Sequence, residues 1–294
     1  MSLLKAFTWN MQRGRTLTPK GNSVEHQIAE ARFKLLSELM SDAHIGFITE
    51  PGMDLRSAVA EDDVSGLKRL PDGDLHRDTR ADNQAETSAC RPLLFTSLDS
   101  DLGLETRVTS GKDSSARYPC AQIVNHSGAE LLLVSLHATS GRSGKWNTEA
   151  VIGDFRNYVE KNNLGGMIVG GDFNMHLSKT GKGFSYAMPT TPTNQGSRGG
   201  KGIDGFYFFS NLKLKSEGKK TRYIIRFDPG TPTPYHLEEG KRVSKLNVAN
   251  NKTKATLGFF IQEKYGPGTT DYRLSDHAPV LIEISTNLQK APKT

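Results

Sequence analysis

The sequence predicts an α/β protein in which two packed sheets are flanked by helices. Three observations lead there. Segments with the apolar spacing of helices alternate with many short apolar runs of strand length. Four polar islands, Thr8-Trp9-Asn10, Thr49-Glu50, Gly171-Asp172-Phe173-Asn174 and Ser275-Asp276-His277, each sit at the end of an apolar stretch, as side chains delivered to one edge of a sheet do. Nothing in the 294 residues repeats, and no segment has the composition of an interdomain linker, so a single domain over residues 1–294 is expected.

Ala6 to Asn10 reads as the first strand. Ser23 to Met40 follows with apolar residues at Val24, Ile28, Ala31, Leu35, Leu36 and Leu39, the helical spacing, and Ile45 to Thr49 completes a strand–helix–strand unit. Residues 54 to 88 read as polar and irregular apart from a helix at Leu55 to Ala60. Leu93 to Leu98, Cys120 to Asn125 and Leu131 to His137 are strand-like, with turns at Ser110-Gly111-Lys112 and His126-Ser127-Gly128. Asn147 to Val159 has helical spacing, and Met167 to Gly170 is a buried strand leading into Asp172. The glycine-rich stretch Thr180 to Gly202 reads as a mobile loop before a strand at Ile203 to Phe209. Strands at Tyr223 to Phe227 and Leu257 to Ile261 enclose an insertion rich in Pro, Lys and Arg, and Pro279 to Ile284 closes the sheet.

The balance of charge points to a polyanion without identifying it. Thirty-eight Lys and Arg against 32 Asp and Glu leave +6, and if the island carboxylates face a metal, the basic surplus elsewhere is larger, which favours a phosphate-bearing substrate. No apolar run of about eighteen residues exists to span a membrane. Leu3 and Leu4 are followed at once by Lys5 and the first strand, leaving no room for a signal peptide. The chain is therefore expected to be cytoplasmic, already processed, or cut to its mature start. Cys90 and Cys120 are too few for a disulfide scaffold; two buried thiols and one bridge both remain open.

Each island has a bland reading beside its chemical one. Glu50 ends a strand, where a carboxylate binds a hard cation, yet alone it also reads as a solvated strand end before the turn at Pro51-Gly52. In Gly170-Gly171-Asp172-Phe173-Asn174 two glycines allow close backbone approach, and Asp and Asn two apart in an extended stretch share a face; a simple turn has the same pattern. Asp276 beside His277 is equally a surface pair. His137 at the end of Leu131 to Leu136, and Asp204 at the head of another strand, shift the balance. Two histidines and several carboxylates at strand ends suit hydrolysis of a phosphate ester. A divalent metal would neutralise charge, one carboxylate would orient water, and the imidazoles would stabilise or protonate oxygens.

Trp9-Asn10, Glu50, Gly171-Asp172-Phe173-Asn174 and Ser275-Asp276-His277 occur in the order and spacing of the endonuclease/exonuclease/phosphatase superfamily, the group of pancreatic deoxyribonuclease, and the resemblance runs over essentially the whole chain. Within it the sequence is most similar to the B subunits of cytolethal distending toxins, through Thr8 to Gln12, Glu50-Pro51-Gly52, Arg91-Pro92, and His137-Ala138 followed by Ser140-Gly141. The resemblance implies a four-layered α/β sandwich of two packed mixed sheets flanked by helices, with the site where their loops meet. It implies Glu50 as the main metal ligand with Asn10 and Asp276 beside it, and Mg²⁺ as the ion, with Mn²⁺ or Ca²⁺ as alternatives. It implies that Asp172 orients the attacking water, Asn174 holds the phosphate, His137 and His277 contact the scissile phosphate, and Asp204 orients His277. Arg117 and Arg91 would bind substrate phosphate. A secreted toxin delivered by carrier subunits into a target cell is the setting it favours.

Two basic runs remain. Lys213, Lys215, Lys219, Lys220, Arg222 and Arg226 form one, and Lys241, Arg242, Lys245, Lys252 and Lys254 the other. They read either as a solvated strand edge or as a surface that tracks DNA phosphates. The expected activity is a divalent-metal-dependent deoxyribonuclease with little sequence preference. A phosphoinositide or other phosphate-ester phosphatase on the same site is the first alternative, and a catalytically idle binding protein is the second.

Overall fold

A computed structural model describes residues 2–11, 36–37, 39–52, 74–77, 92–98, 119–126, 128–138, 142–175, 184–188, 202–209, 220–227, 235–239, 275, 277 and 279–286. Its strands are β1 (Ser2–Asn10), β2 (Ile45–Thr49), β3 (Asp74–Arg77), β4 (Leu93–Thr96), β5 (Cys120–His126), β6 (Ala129–His137), β7 (Gly166–Asp172), β8 (Phe184–Ala187), β9 (Asp204–Phe209), β10 (Lys220–Phe227), β11 (Tyr235–Glu239) and β12 (Val280–Thr286). They form a seven-stranded sheet in the order β11-β10-β12-β1-β2-β4-β3 and a five-stranded sheet in the order β5-β6-β7-β9-β8. In each sheet one central pair is parallel, β1–β2 and β6–β7, and the other pairings are antiparallel.

A parallel pair needs a crossover, and the helix Arg142–Lys161 supplies it between β6 and β7. Its apolar positions Val151, Ile152, Phe155 and Val159 are buried against the outer face of the five-stranded sheet, on Leu132, Val134, Leu136, Met167 and Val169. Truncating Phe155 to alanine there would cost about 3–5 kcal/mol. The helix stops in a paired C-terminal cap: Asn163 takes φ 54°, Asn163 N–H donates to Glu160 at 3.3 Å and Leu164 N–H to Val159 at 3.0 Å.

The residues that alternate with that outer set face the other sheet. Leu4, Ala6, Ile45 and Phe47 of the seven-stranded sheet pack on Leu131, Leu133, Ile168, Phe206 and Phe208 of the five-stranded one. Phe47 meets Phe206 edge to face, with ring centroids 5.9 Å apart and planes at 74°. Beneath the end of β7 the ring of Phe47 presses on Gly170, where a Cβ would come within 2.5 Å of Phe47 Cγ. The sheets approach so closely here because that position has no side chain.

The first helix ends inside the described residues: 36, 37 and 39–42 are helical, and Leu36, Leu39 and Met40 are buried as the spacing requires. Four expectations need correction. The stretch 54 to 88 contains β3, the glycine-rich stretch contains β8, and the insertion contains β11. All three lie at a sheet edge, and strands of four or five residues recruited by one neighbour are too short to show a period. β12 does not close the sheet; it lies between β10 and β1, its Val280 and Ile282 buried in the intersheet core. The expected helix at 55–60, the turn at 110–112, the strand at 257–261 and Cys90 lie outside the described residues. Cys120 is buried. No helix among the described residues is long and apolar enough to cross a membrane.

Candidate active site

The topology brings the polar islands to one rim. β1, β2, β6 and β7 all end there with Asn10, Thr49-Glu50, His137 and Asp172, while β9 and β12, antiparallel to their neighbours, begin there with Asp204 and just after His277. In the five-stranded sheet the register sets His137, Asp172 and Asp204 side by side. Alternation then turns them toward the intersheet space, in line with Leu133, Ile168 and Phe206.

Three polar pairs form, and each joins one sheet to the other. Asn10 Nδ2 donates to Asp172 Oδ2 at 3.0 Å. The Nδ1 atom of His277 lies 3.0 and 2.9 Å from the two oxygens of Asp204. His137 Nε2 lies 3.4 Å from Glu50 Oε1 and 3.7 Å from Asp172 Oδ2. His277 Nε2 completes the ring, 3.9 Å from the same Asp172 oxygen. Asp172 is thus the hub, 2% exposed. Burial pushes its carboxyl above the usual range and the nearby Asp204 charge adds to this, while His277, His137 and the Asn174 N–H pull the other way.

The backbone around the hub is shaped for it. Gly171 has φ 153°, and a Cβ there would fall on the carbonyl oxygen of Leu136, so only glycine lets β7 end against β6 in this way. Asn174 takes φ 51°, with its N–H on Asp172 Oδ1 at 2.8 Å and its side-chain amide on the Ala138 carbonyl at 2.6 Å. Glu50 takes φ 47°. Two non-glycine residues in the left-handed region at one site mark stored strain, which tends to collect where function requires it.

Two supporting residues were part of the sequence islands without a role of their own. Ser275 Oγ donates to the Asn10 carbonyl at 2.5 Å and accepts from His277 N–H at 3.0 Å. Trp9, fully buried, donates Nε1–H to the His277 carbonyl at 3.2 Å. Together they lash the segment before β12 to the end of β1. A serine two residues before a histidine signals the local turn, whereas the link to Asn10 spans 265 positions and has no sequence signal.

Of the sequence-derived site residues, Asn10, Glu50, His137, Asp172, Asn174, Asp204 and His277 gather at this rim. Asp276, Arg91 and Arg117 lie outside the described residues. A compact set of potential metal donors, Asp172, Asp204 and His277, has its ligand atoms within 4.8 Å of one another. Asp204, however, has both oxygens beside one imidazole nitrogen, an arrangement that orients a histidine.

No protein-family sequence model and no curated protein sequence matches the chain. Its structure resembles an endonuclease/exonuclease/phosphatase from Bacteroides vulgatus, with a TM-score of 0.56 and 13% identity over 98% of this chain and all of that one. It also resembles the endonuclease domain of TRAS1, a telomere-specific non-LTR retrotransposon, with a TM-score of 0.51 and 14% identity over 98% of this chain and all of that one. A third is D. rerio TDP2 in complex with a single-strand DNA product, with a TM-score of 0.51 and 12% identity over 97% of this chain and all of that one. Identities this low carry the architecture and no more: the chain has the four-layered α/β sandwich of the endonuclease/exonuclease/phosphatase fold.

Proposed function

We propose that the chain is a divalent-metal-dependent phosphodiesterase that cleaves DNA with little sequence preference. The observation that carries this reading is the buried Asp172 hub, set between two imidazoles and tied to Asn10 across the sheets. A carboxyl pushed upward by burial is a stronger base than a free one, which suits it to orient an attacking water and take its proton. His277, held through Nδ1 by Asp204, presents Nε2 to a phosphate oxygen, and His137 sits on the other side of the hub. Asn174 holds Asp172 in orientation through its N–H and, in this reading, also contributes to phosphate binding.

The donor set fits a hard cation. Glu50 and Asp172 converge on one point, His137 Nε2, and Asp172 is disfavoured in its charged form by burial first and by the nearby Asp204 charge second, a setting that a cation would relieve. Asn10 and Glu50, with Asp276, would hold Mg²⁺, and Mn²⁺ or Ca²⁺ offer the same hard-ion chemistry. When bound, the ion would supply charge neutralisation at the phosphate. The roles of Arg91 and Arg117 on substrate phosphate and the finer assignment to toxin B subunits with carrier partners rest on the sequence resemblance, and the single-domain reading of residues 1–294 rests on length and composition.

Supercoiled plasmid and an inositol phospholipid, each incubated with pure protein and Mg²⁺, test the reading. Nicking that EDTA stops is the expected result. Phosphate release from the lipid with intact plasmid would replace the nuclease by a phosphatase, and inactivity on both would leave a binding protein. His277→Ala should lower nicking by about 10² to 10⁴-fold; a loss below threefold would remove His277 from the mechanism.

A further inference from the structure

Thr8 and Thr49 are fully buried, and neither hydroxyl has a hydrogen-bond partner among the described residues. A hydroxyl withdrawn from solvent without a replacement partner is costly, so two in one place require a cause. Both lie on the inner face of the seven-stranded sheet. Leu4 and Ala6 of β1 and Ile45 and Phe47 of β2 face the other layer, and alternation carries Thr8, Asn10 and Thr49 onto the same face. The parallel ladder sets Thr8 beside Phe47 and Asn10 beside Thr49, while Val280 flanks Thr8 from β12. Thr8 and Thr49 are therefore diagonal neighbours. A strand spacing of about 4.8 Å and a two-residue rise of about 6.6 Å put their Cα atoms roughly 8 Å apart.

The facing layer is small at this depth. Asn10 meets Asp172 across the gap at 3.0 Å, and β1 and β7 both run toward the rim, so two residues back along each strand Thr8 faces Gly170. Ser135, fully buried, reaches the Ile48 carbonyl, next to Thr49, at 3.4 Å. That is long for a hydroxyl donor, whose ordinary distance is about 2.7–2.8 Å. Below this level Ala6, Phe47, Leu133 and Ile168 are apolar; above it stand Asn10, His137 and Asp172. Thr8, Thr49 and Ser135 thus form a layer of hydroxyls between the apolar core and the site.

We propose that Thr8 and Thr49 hold an ordered water beneath the Asn10–Asp172 pair, with Ser135 as its third partner, and through it act as positioning residues for that pair. The effect on catalysis rests on the phosphodiesterase reading, whereas the water site rests on the hydroxyls alone. Their separation is too wide for a direct bond and within the span of one bridging water, with two hydrogen bonds of about 2.8 Å. A buried water typically makes about three hydrogen bonds, the number this layer offers. Water suits the layer better than a cation does. Its side-chain oxygens are neutral hydroxyls and the carboxylates stand one level higher, so a charge here would lack compensation.

High-resolution crystal structures of wild type, Thr8→Val/Thr49→Val and Thr8→Ser/Thr49→Ser read the site directly. Wild type and the serine pair should show a water within about 3.2 Å of both hydroxyls, and the valine pair should lose it. Urea unfolding should place the valine pair below the other two, since it strips a buried water of partners; two orphan hydroxyls replaced by methyls of the same shape would instead raise the midpoint. In plasmid nicking the valine pair should lose about tenfold or more in kcat with KM within twofold, and the serine pair should recover it. Should the valine pair fail to fold, wild type and the serine pair still decide through their crystals. Hydroxyls bonded to protein atoms, a shell of oxygens at about 2.3–2.6 Å around a cation in place of the water, or a valine pair more stable than wild type would overturn the water site. A bound water with unchanged kcat in the valine pair would overturn the positioning role. A wild type that holds the water yet cleaves no phosphodiester would overturn the phosphodiesterase reading and leave the water site standing.

Discussion

Gly170→Ala tests whether the spacing between the sheets sets the geometry of the site. A Cβ at this position would stand 2.5 Å from Cγ and 3.0 Å from Cβ of Phe47, against an ordinary carbon–carbon contact of about 3.5–4.0 Å. These atoms are the root of the side chain, so no rotation of its far end relieves the clash. The ring itself is held edge-on to Phe206 at 5.9 Å. One of the two strands must therefore yield by about 1 Å, and overpacking of this kind costs about 1–3 kcal/mol. β7 carries Asp172 two residues on, and β2 leads to Glu50 three residues after Phe47. A displacement of that size at a reacting group costs on the order of 10²-fold in rate. Urea unfolding should show a lower midpoint with an unchanged slope, and plasmid nicking should fall about 10 to 100-fold. In a double-mutant cycle with Phe47→Ala, the pair should lose at least about 1 kcal/mol less than the sum of the singles. If Gly170→Ala unfolds within 0.5 kcal/mol of wild type, or if the cycle is additive, the close-approach argument fails.

Three further outcomes follow from the same geometry. Asp172→Asn should be stabilised relative to wild type as pH rises, measured in EDTA: burial, then Asp204, holds the native carboxyl above its unfolded value near 3.9, so its contribution is present below that pH and lost as pH rises through the raised value. A stability difference that stays flat from pH 4 to 7 would show that the carboxyl is not perturbed. Glu50→Gln should lower Mg²⁺ affinity and so nicking, with partial recovery at high Mn²⁺ or Mg²⁺, whereas Asp204→Asn should leave metal dependence intact and lower kcat through His277; the reverse pattern would move the ion to the Asp172, Asp204 and His277 group. Ser275→Ala strips the His277 N–H and the Asn10 carbonyl of a shared partner, at a cost of about 1–3 kcal/mol, and unchanged urea stability would rule out its role as a fastening.

Much of the site was legible because a buried strand changes chemistry abruptly where it meets solvent. Asn10, Glu50, His137 and Asp172 each follow a run that reads as core, and the structure places all four on one rim. The two glycines before Asp172 were legible as a place of close approach, although not that Gly170 admits Phe47 and Gly171 admits the Leu136 carbonyl. Pairing across the fold was less accessible. That Asp204, 73 positions away, and not only the chain neighbour Asp276 stands by the ring of His277 was reached through the resemblance and not from the residues themselves. The first turn of the helix after β6, from Arg142, was missed because its residues are polar and set no apolar period. The edge strands β3, β8 and β11 were missed because one neighbouring strand, and no pattern of their own, makes them strands.

The cross-sheet character of the site links its chemistry to its stability. Asn10–Asp172, His277–Asp204 and His137–Glu50 each take one partner from the seven-stranded sheet or its extensions and one from the five-stranded sheet. Among the described residues no strand hydrogen bonds join the two layers, and the described links between them at this rim are made by side chains, with Ser135 Oγ on the Ile48 carbonyl at 3.4 Å just beneath. At the same rim burial disfavours the charged form of Asp172, and Glu50 and Asn174 sit at positive φ, all of which oppose folding. In the proposed reading, a cation bound between the layers would relieve the charge and tie both sheets together, and by linkage would stabilise the fold by RT ln(1 + [L]/Kd). The rim would then be the part of the intersheet packing whose stability depends on occupancy, while the Phe47–Phe206 contact below it would hold the spacing whether or not the site is filled.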